Sequence, residues 1–559
     1  MVENHKHSRS RRWFLGAAAG AGLTTIAGCT GDGGNGNGGN GNGNGNGNGD
    51  GNGNGNGSSG RENRLIFAQN AAPDEIDPIN NRGGNYSIVI KNWVYDALYT
   101  YDEGTNLVPL LATDMPEMND SGTQLTIEID SNARWHDGEP VTASDVAYTF
   151  TQPVEESTDY GTDFALITEM EEIDEQTIQL NLDEPYPPIL NTIAHPLAPE
   201  HVREEDREEF GRSVVVGSGP FEFVEWDPGN YTRLRRHDDY WGDTLPELEE
   251  LEFVPVEEDT TRITEFENDE VNVANNISPD LWGTVENMDD ASIVSGPELN
   301  YQFAAFNMNE GEATKKEVRE AIVYATDLDS AISRFVDPVG SRMYSILPEP
   351  LAEDWDMPLD EWRNMWPDQD IDRARELFEE AGVPDDWECN IIVSSTSMRE
   401  NVAISIADGI NEAGYTGTVR RLDFGTMLET FSSGDADEVN IYLLGWTREP
   451  DPDRFIYELV HPDGAFQGTY YDNDEFAQLL DDARVNPNYE ERRDMYEEAV
   501  TMMIEDRVHI PLYNLSTNMA VKEYVNGLEP HPVATENPQV FSDRRVTNSG
   551  VSGTNVSID

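Results

Sequence analysis

Apolar positions change period along this chain, and each change marks an element. Gln124–Ile129 alternates Leu125, Ile127 and Ile129, and Thr177–Leu182 alternates Ile178, Leu180 and Leu182. A period of two predicts half-buried strands. Beyond residue 310 the spacing becomes helical. Val318, Ala321, Ile322 and Ala325 follow Thr314 and Glu317, a pair spaced as a capping box. Ile371, Ala374, Phe378 and Ala381 form a second stripe, stopped by Gly382 and Pro384. Both stripes predict core-facing helices.

Residues 389–446 alternate by type. A strand near Asn390–Ser394 precedes a helix carrying Val402, Ile406 and Ile410, which ends at Gly414. A strand near Thr418–Leu422, a short helix after Thr426 and an apolar strand at Val439–Leu444 follow. That order predicts βαβ units in a mainly parallel sheet, with the last strand buried on both faces. Earlier, Asp137-Gly138 predicts a turn, and Thr142 with Asp145 predicts the start of a helix carrying Val146, Ala147 and Phe150.

At 559 residues the chain is too long for one core, so two lobes or more are expected. Its charge narrows the picture further. The formal net charge is −73, and residues 61–559 alone hold 106 acids against 32 bases. Lysine occurs only at 6, 91, 315, 316 and 522. Acids spread over every segment repel one another, and molar salt screens them at a Debye length of about 3 Å. The balance therefore predicts a halophilic, extracellular setting. It argues against nucleic acid, whose phosphates this surface would repel.

The first sixty residues predict an address rather than a fold. Ser10-Arg11-Arg12-Trp13-Phe14-Leu15 resembles a twin-arginine export signal, with Arg11 and Arg12 as its pair. The apolar stretch 16–28 is shorter than the roughly 20 residues a bilayer requires. It ends in Ile26-Ala27-Gly28-Cys29, which resembles a lipobox with Cys29 lipidated; residues 1–28 are then the signal. Residues 29–60, a Gly-Asn repeat, cannot bury a core and predict a flexible tether of about 30 Å reach. Cys389 is the only other cysteine, so a disulfide within the mature chain is not expected.

Several short runs resemble, in order, the family 5 solute-binding proteins of ABC importers, the receptors for peptides, nickel and oligosaccharides. They include Glu75-Ile76-Asp77-Pro78, Tyr95-Asp96-Ala97-Leu98, Trp135-His136-Asp137-Gly138, Gly217-Ser218-Gly219-Pro220-Phe221 and Asp239-Tyr240-Trp241. Phe306-Asn307, Val318-Arg319-Glu320-Ala321, Gly445-Trp446-Thr447 with Asp451-Pro452, and Ile510-Pro511-Leu512-Tyr513 continue the series. Each run is weak alone; the order is specific. The pattern covers nearly all of residues 65–535 and is similar to lipoproteins of the haloarchaeal type.

The resemblance implies an α/β, periplasmic-binding-protein-like type II fold, with two lobes, a hinge and mixed sheets flanked by helices. Residues 61–298 and 515–559 would form lobe I and residues 299–514 lobe II. It implies a receptor on the outer face of the cytoplasmic membrane, lipid-anchored, passing di- or oligopeptides to ABC permease subunits and their ATPases. In peptide-binding members an acid after the Gly-Trp pair holds the α-ammonium. Here Glu449 stands three residues past Trp446, near Gly445 and Thr447, and Asp451 is its substitute; Arg448 is bulkier than the usual residue. Asn80-Asn81-Arg82-Gly83-Gly84-Asn85 matches the loop that pairs with extended peptides, giving Asn81, Arg82 and Gly83 as contacts. Trp446 and Tyr513 offer flat apolar faces to a ligand or belong to the core.

The chain lacks H-E-x-x-H, S-x-x-K, P-loop and paired C-x-x-C patterns. No enzyme activity, cofactor, catalytic residue or metal site is therefore expected. An oligosaccharide or metal-chelate receptor remains the alternative within the class. A surface hydrolase or a passive envelope protein is the alternative outside it.

Overall fold

The computed structural model describes residues 63–80, 84–394, 396–542 and 554–559. Arg11, Arg12, Cys29, the 29–60 tether and the loop residues Asn81, Arg82 and Gly83 lie outside the described residues.

The strand His509–Lys522 organises the molecule. Its first half pairs antiparallel with Asn300–Phe306 and with Gly340–Arg342. Its second half pairs with Ala291–Pro297 and with Val273–Asn275. One strand thus belongs to two sheets, and the chain passes from 297 to 300 beside the same point. Together they give a two-lobe, mixed α/β molecule with two strand-like crossings.

In one lobe the sheet runs Thr416–Leu422, Glu388–Ser394, Ile441–Thr447, Asn300–Phe306 and then the long strand. Glu388–Ser394 pairs parallel with both Thr416–Leu422 and Ile441–Thr447, as the βαβ pattern predicts. In the other lobe the long strand continues through Val273–Asn275, Arg64–Gln69, Glu250–Pro255, Tyr231–Arg236 and Phe221–Asp227. The two strands expected from strict alternation pair with each other, Leu125 opposite Leu180 and Ile127 opposite Ile178, and their apolar faces enter that lobe's core. The helix Ala143–Glu155 starts where expected, and Asp145 Oδ2 accepts from Thr142 N at 2.9 Å.

The capping box expected at Thr314 and Glu317 does not form. Thr314 ends a 3₁₀ turn, its hydroxyl donates to Gly311 O at 2.7 Å, and the helix begins only at Lys316. A hydroxyl spent on the preceding turn cannot cap the next helix.

Two of the signature runs exist for each other. His136 Nδ1 accepts from Gly217 N at 3.1 Å, so Nε2 carries the proton and donates to Gly219 O at 2.9 Å. A Cβ at Gly217 would lie 1.9 Å from Val94 O, which is why only glycine lets the turn approach that backbone. Trp135 and Phe221 of these runs enter the same core.

Burial holds three histidines neutral. Desolvation lowers His136 and His195 to about 4 and His509 to about 3. Their folded values lie below the ordinary 6.5, so the unfolded chain binds more protons as pH falls. Their contribution to stability is complete above pH 6.5 and is lost as pH falls through about 4. In molar salt, ring resonances of His136 and His195 are expected to stay those of the neutral imidazole at pH 5. Protonated rings at that pH would refute the assignment.

Contacts also run between the lobes. Asp354 Oδ2 accepts from Thr105 N at 2.9 Å, Arg454 Nη2 donates to Asp163 Oδ1 at 3.2 Å, and Tyr186 Oη donates to Asp453 Oδ2 at 3.4 Å.

Candidate functional site

The strand Ile441–Thr447 is apolar on both faces because a core lies on each. Tyr442, Leu444 and Trp446 enter one cluster, Ile441 and Leu443 the other. At its carboxyl end the chain leaves the sheet, the place where open α/β sheets take their ligands. Gly445 has no side chain because others fill the space. A Cβ there would lie 2.3 Å from Arg399 Nη2 and 2.6 Å from Gln302 Oε1. Trp446 is core: it packs edge-on to Phe466 at 5.0 Å and donates to Arg454 O at 2.9 Å. Thr447 is exposed and pairs with Asn300.

Glu449 follows. Protein surrounds it enough for desolvation to be the largest influence on its carboxyl group, yet 42% of the side chain meets solvent. Arg454 Nε donates to Glu449 Oε2 at 3.1 Å while Nη2 of the same guanidinium reaches Asp163 from the other lobe. Desolvation raises Glu449, but Arg454 and then Arg448 outweigh it and hold the carboxyl below its ordinary value. Asp163 goes the other way: desolvation raises it, Arg454 offsets part of this, and Glu449 adds repulsion. Burial and Glu449 thus work against the charged form of Asp163, while the two arginines favour that of Glu449. Tyr101 and Tyr160 feel its field; burial first and Glu449 second push both hydroxyls up, so they stay protonated donors. The Tyr101 hydroxyl donates to Asn191 Oδ1 at 3.1 Å.

Asp451, named as a substitute for Glu449, is committed elsewhere. It is 4% exposed, caps the helix Pro452–Val460 and takes Arg492 on both oxygens at 2.9 and 3.0 Å. An acid held by a buried arginine on both oxygens has none free for a ligand. Tyr513 is 1% exposed inside the core, so it offers no flat face to a cleft.

Three residues of this region escaped sequence reasoning. Arg454 and Asp163 are 291 positions apart, and no local pattern joins them. Arg399 did leave a signal: it sits in the first turn of the helix Ser397–Glu412, where the helix dipole disfavours a cation. Its Nε donates to Gln302 Oε1 at 2.8 Å and Nη1 to Ser394 Oγ at 2.7 Å. Among the described residues it has no carboxylate partner, although acids outnumber bases 109 to 36 in this chain. Burial lowers its pKa from the ordinary value, with the Tyr513 hydroxyl opposing.

On the other lobe's side, Asn92, Tyr99, Tyr101, Pro196 and Glu536 line a small pocket of about 20 Å³, partly open to solvent. Tyr101 lines this pocket, and the charges of Glu449 and Glu536 both act on its hydroxyl.

Known proteins share this architecture. The model of the bacterial extracellular solute-binding proteins, family 5, matches residues 106–467. The oligopeptide-binding protein AppA of Bacillus subtilis is 25% identical over 478 residues, 79% of this chain and 84% of its own. The glutathione-binding protein GsiB of Pectobacterium atrosepticum is 23% identical over 452 residues, 78% of this chain and 85% of its own. The crystal structure of the ABC transporter substrate-binding protein CtaP of Listeria monocytogenes superposes with a TM-score of 0.73 at 23% identity, covering 84% of this chain and 98% of its own.

Proposed function

The chain belongs to the family 5 extracellular solute-binding proteins, and from that membership we propose a receptor that closes two lobes on a short peptide and delivers it to an ABC permease. Glu449 carries the reading: a water-reachable acid at a strand end, whose charged form Arg454 and Arg448 favour and whose field reaches Asp163, Tyr101 and Tyr160. Such a group holds an α-ammonium. Arg399, a desolvated cation without an acid, holds the peptide's carboxylate. Gly445 lies against Arg399 and Glu449 is four residues on, so about 13 Å of extended backbone, plus the reach of the side chains, separates the two charges. That span favours a peptide of about four residues or fewer. Asn81, Arg82 and Gly83 pair with its backbone.

Residues 61–298 with 515–559 make one moving body and 299–514 the other, with the crossings near 298 and 515 as hinge. Closure is a rigid-body movement about those crossings, and the contacts of Asp354, Arg454 and Asp453 with the opposite lobe support it. The receptor performs no chemistry. Arg11 and Arg12 direct export, and the lipid on Cys29 anchors the chain outside the cell. Native mass spectrometry of protein purified from its own cells at high salt tests the ligand class. A bound peptide of four residues or fewer, absent from the Glu449→Ala protein, is expected; a bound sugar or metal chelate would overturn the reading.

A further inference from the structure

Arg448 is a cation without an anion. Its guanidinium lies over the Trp446 ring, 4.3 Å from the centroid, and its Nε is buried with no hydrogen-bond partner. Among the described residues it makes no ion pair, whereas Arg454, six positions along, binds two acids. Stacking on an aromatic uses the face of a guanidinium and leaves its edge free to donate.

The charge balance points the same way. Two acids, Glu449 and Asp163, meet two arginines, Arg454 and Arg448, and both acids feel both arginines. The four are balanced before any ligand arrives. An incoming ammonium alone leaves one positive charge in excess within a closing, water-poor cleft, where an unpaired charge is costly. A carboxylate beside that ammonium restores neutrality and gives Arg448 the bidentate partner its shape suits.

We propose that the ligand carries an acidic side chain next to its free amino end and that Arg448 selects for it. The proposal rests on the reading that Glu449 holds a peptide's amino end. Glu449 then takes the ammonium, Arg399 the terminal carboxylate and Arg448 the side-chain carboxylate, three contacts that together define a short acidic peptide.

Calorimetry in molar salt with Glu-Ala-Ala and its isostere Gln-Ala-Ala tests the selection. The wild-type chain is expected to bind the glutamyl peptide about tenfold or more tightly than the glutaminyl one. Arg448→Met keeps the length and apolar packing over Trp446 and removes the charge; the preference should fall below about twofold. Arg448→Lys keeps a charge without the planar fork and should retain part of the preference, with circular dichroism confirming both folds. Equal binding of the two peptides to wild type, or an undiminished preference in Arg448→Met, overturns the proposal. If Arg448 serves only to neutralise Glu449 and Asp163, Arg448→Met changes both affinities alike and the preference survives, which also overturns it. Failure of either peptide to bind while a sugar or metal chelate binds instead defeats the peptide reading itself.

Discussion

On dilution from molar salt to below 0.1 M, the protein is expected to lose its fold. Residues 61–559 carry 106 acids against 32 bases, and the bases are shared. Lys522 holds Asp269 at 3.0 Å and Asp290 at 2.8 Å, and Arg233 holds Glu225 at 2.7 Å and Glu252 at 3.0 Å. Even if every base held two acids, 42 of the 106 carboxylates would stand without a cation. In molar salt the Debye length is about 3 Å, shorter than the spacing of most neighbouring charges; at 0.1 M it is about 10 Å and many acids feel each other at once. Only roughly 5–15 kcal/mol holds an ordinary domain together, so self-repulsion over such a surface works against a small margin. Far-ultraviolet circular dichroism during dilution reads the loss, and sodium chloride and potassium chloride should protect equally if screening is the cause. A spectrum unchanged below 0.1 M would refute it.

Glu449→Ala is expected to weaken peptide binding about 30-fold or more. Removing one member of a charge pair in a closed site costs about 2–5 kcal/mol, mainly because the other charge stays buried and unpaired, and about 1.4 kcal/mol is a factor of ten. Here two cations lose their acid: the ligand ammonium and Arg454, which is left with Asp163 alone. The lower end of that range is the better guide, because 42% of the Glu449 side chain meets water before closure. Asp451→Ala separates site from scaffold. It strips Arg492 of its bidentate partner and removes a helix cap, so it should lower the melting temperature sharply. Calorimetry and thermal unfolding on the two variants should show the two effects falling on different residues.

Periodicity carried the fold where burial follows a simple rule. Leu125, Ile127 and Ile129 face one core from an edge region, and Ile371, Ala374 and Phe378 face another, so period two and the helical period reached the right elements. The continuous run Ile441–Leu444 was legible as a central strand because apolar neighbours lie on both of its faces. The long strand His509–Lys522 was not legible beyond Tyr513, since Asn514, Ser516, Thr517 and Asn518 look like a loop in sequence. Their polar groups are used at the crossing, where Asn514 Nδ2 donates to Glu298 O at 2.8 Å and Thr517 Oγ1 to Glu298 Oε1 at 2.7 Å. Two Thr-x-x-acid patterns gave opposite outcomes, at Thr142 and at Thr314, because a hydroxyl takes whichever backbone partner its turn presents.

The site divided along the same line. Glu449 was named from the family's acid after the Gly-Trp pair, and the structure sets it beside Arg454 beyond the end of Ile441–Thr447. Arg448 was visible as an oddity of size, but its lack of an acid is a fact of three dimensions. Asp163 was invisible, since its partners belong to the other lobe. Trp446, Asp451 and Tyr513 show the converse: candidates named from the sequence that the structure buries.

The central claim is that the cleft takes a peptide by its amino end at Glu449. Calorimetric titration at molar salt with a tripeptide and the same peptide N-acetylated tests it most directly, on the wild-type chain and on Glu449→Ala. The account predicts that acetylation costs wild type about 30-fold or more in affinity and costs Glu449→Ala little further, because the partner of the ammonium is already gone. Equal binding of free and acetylated peptide to the wild-type chain would contradict it.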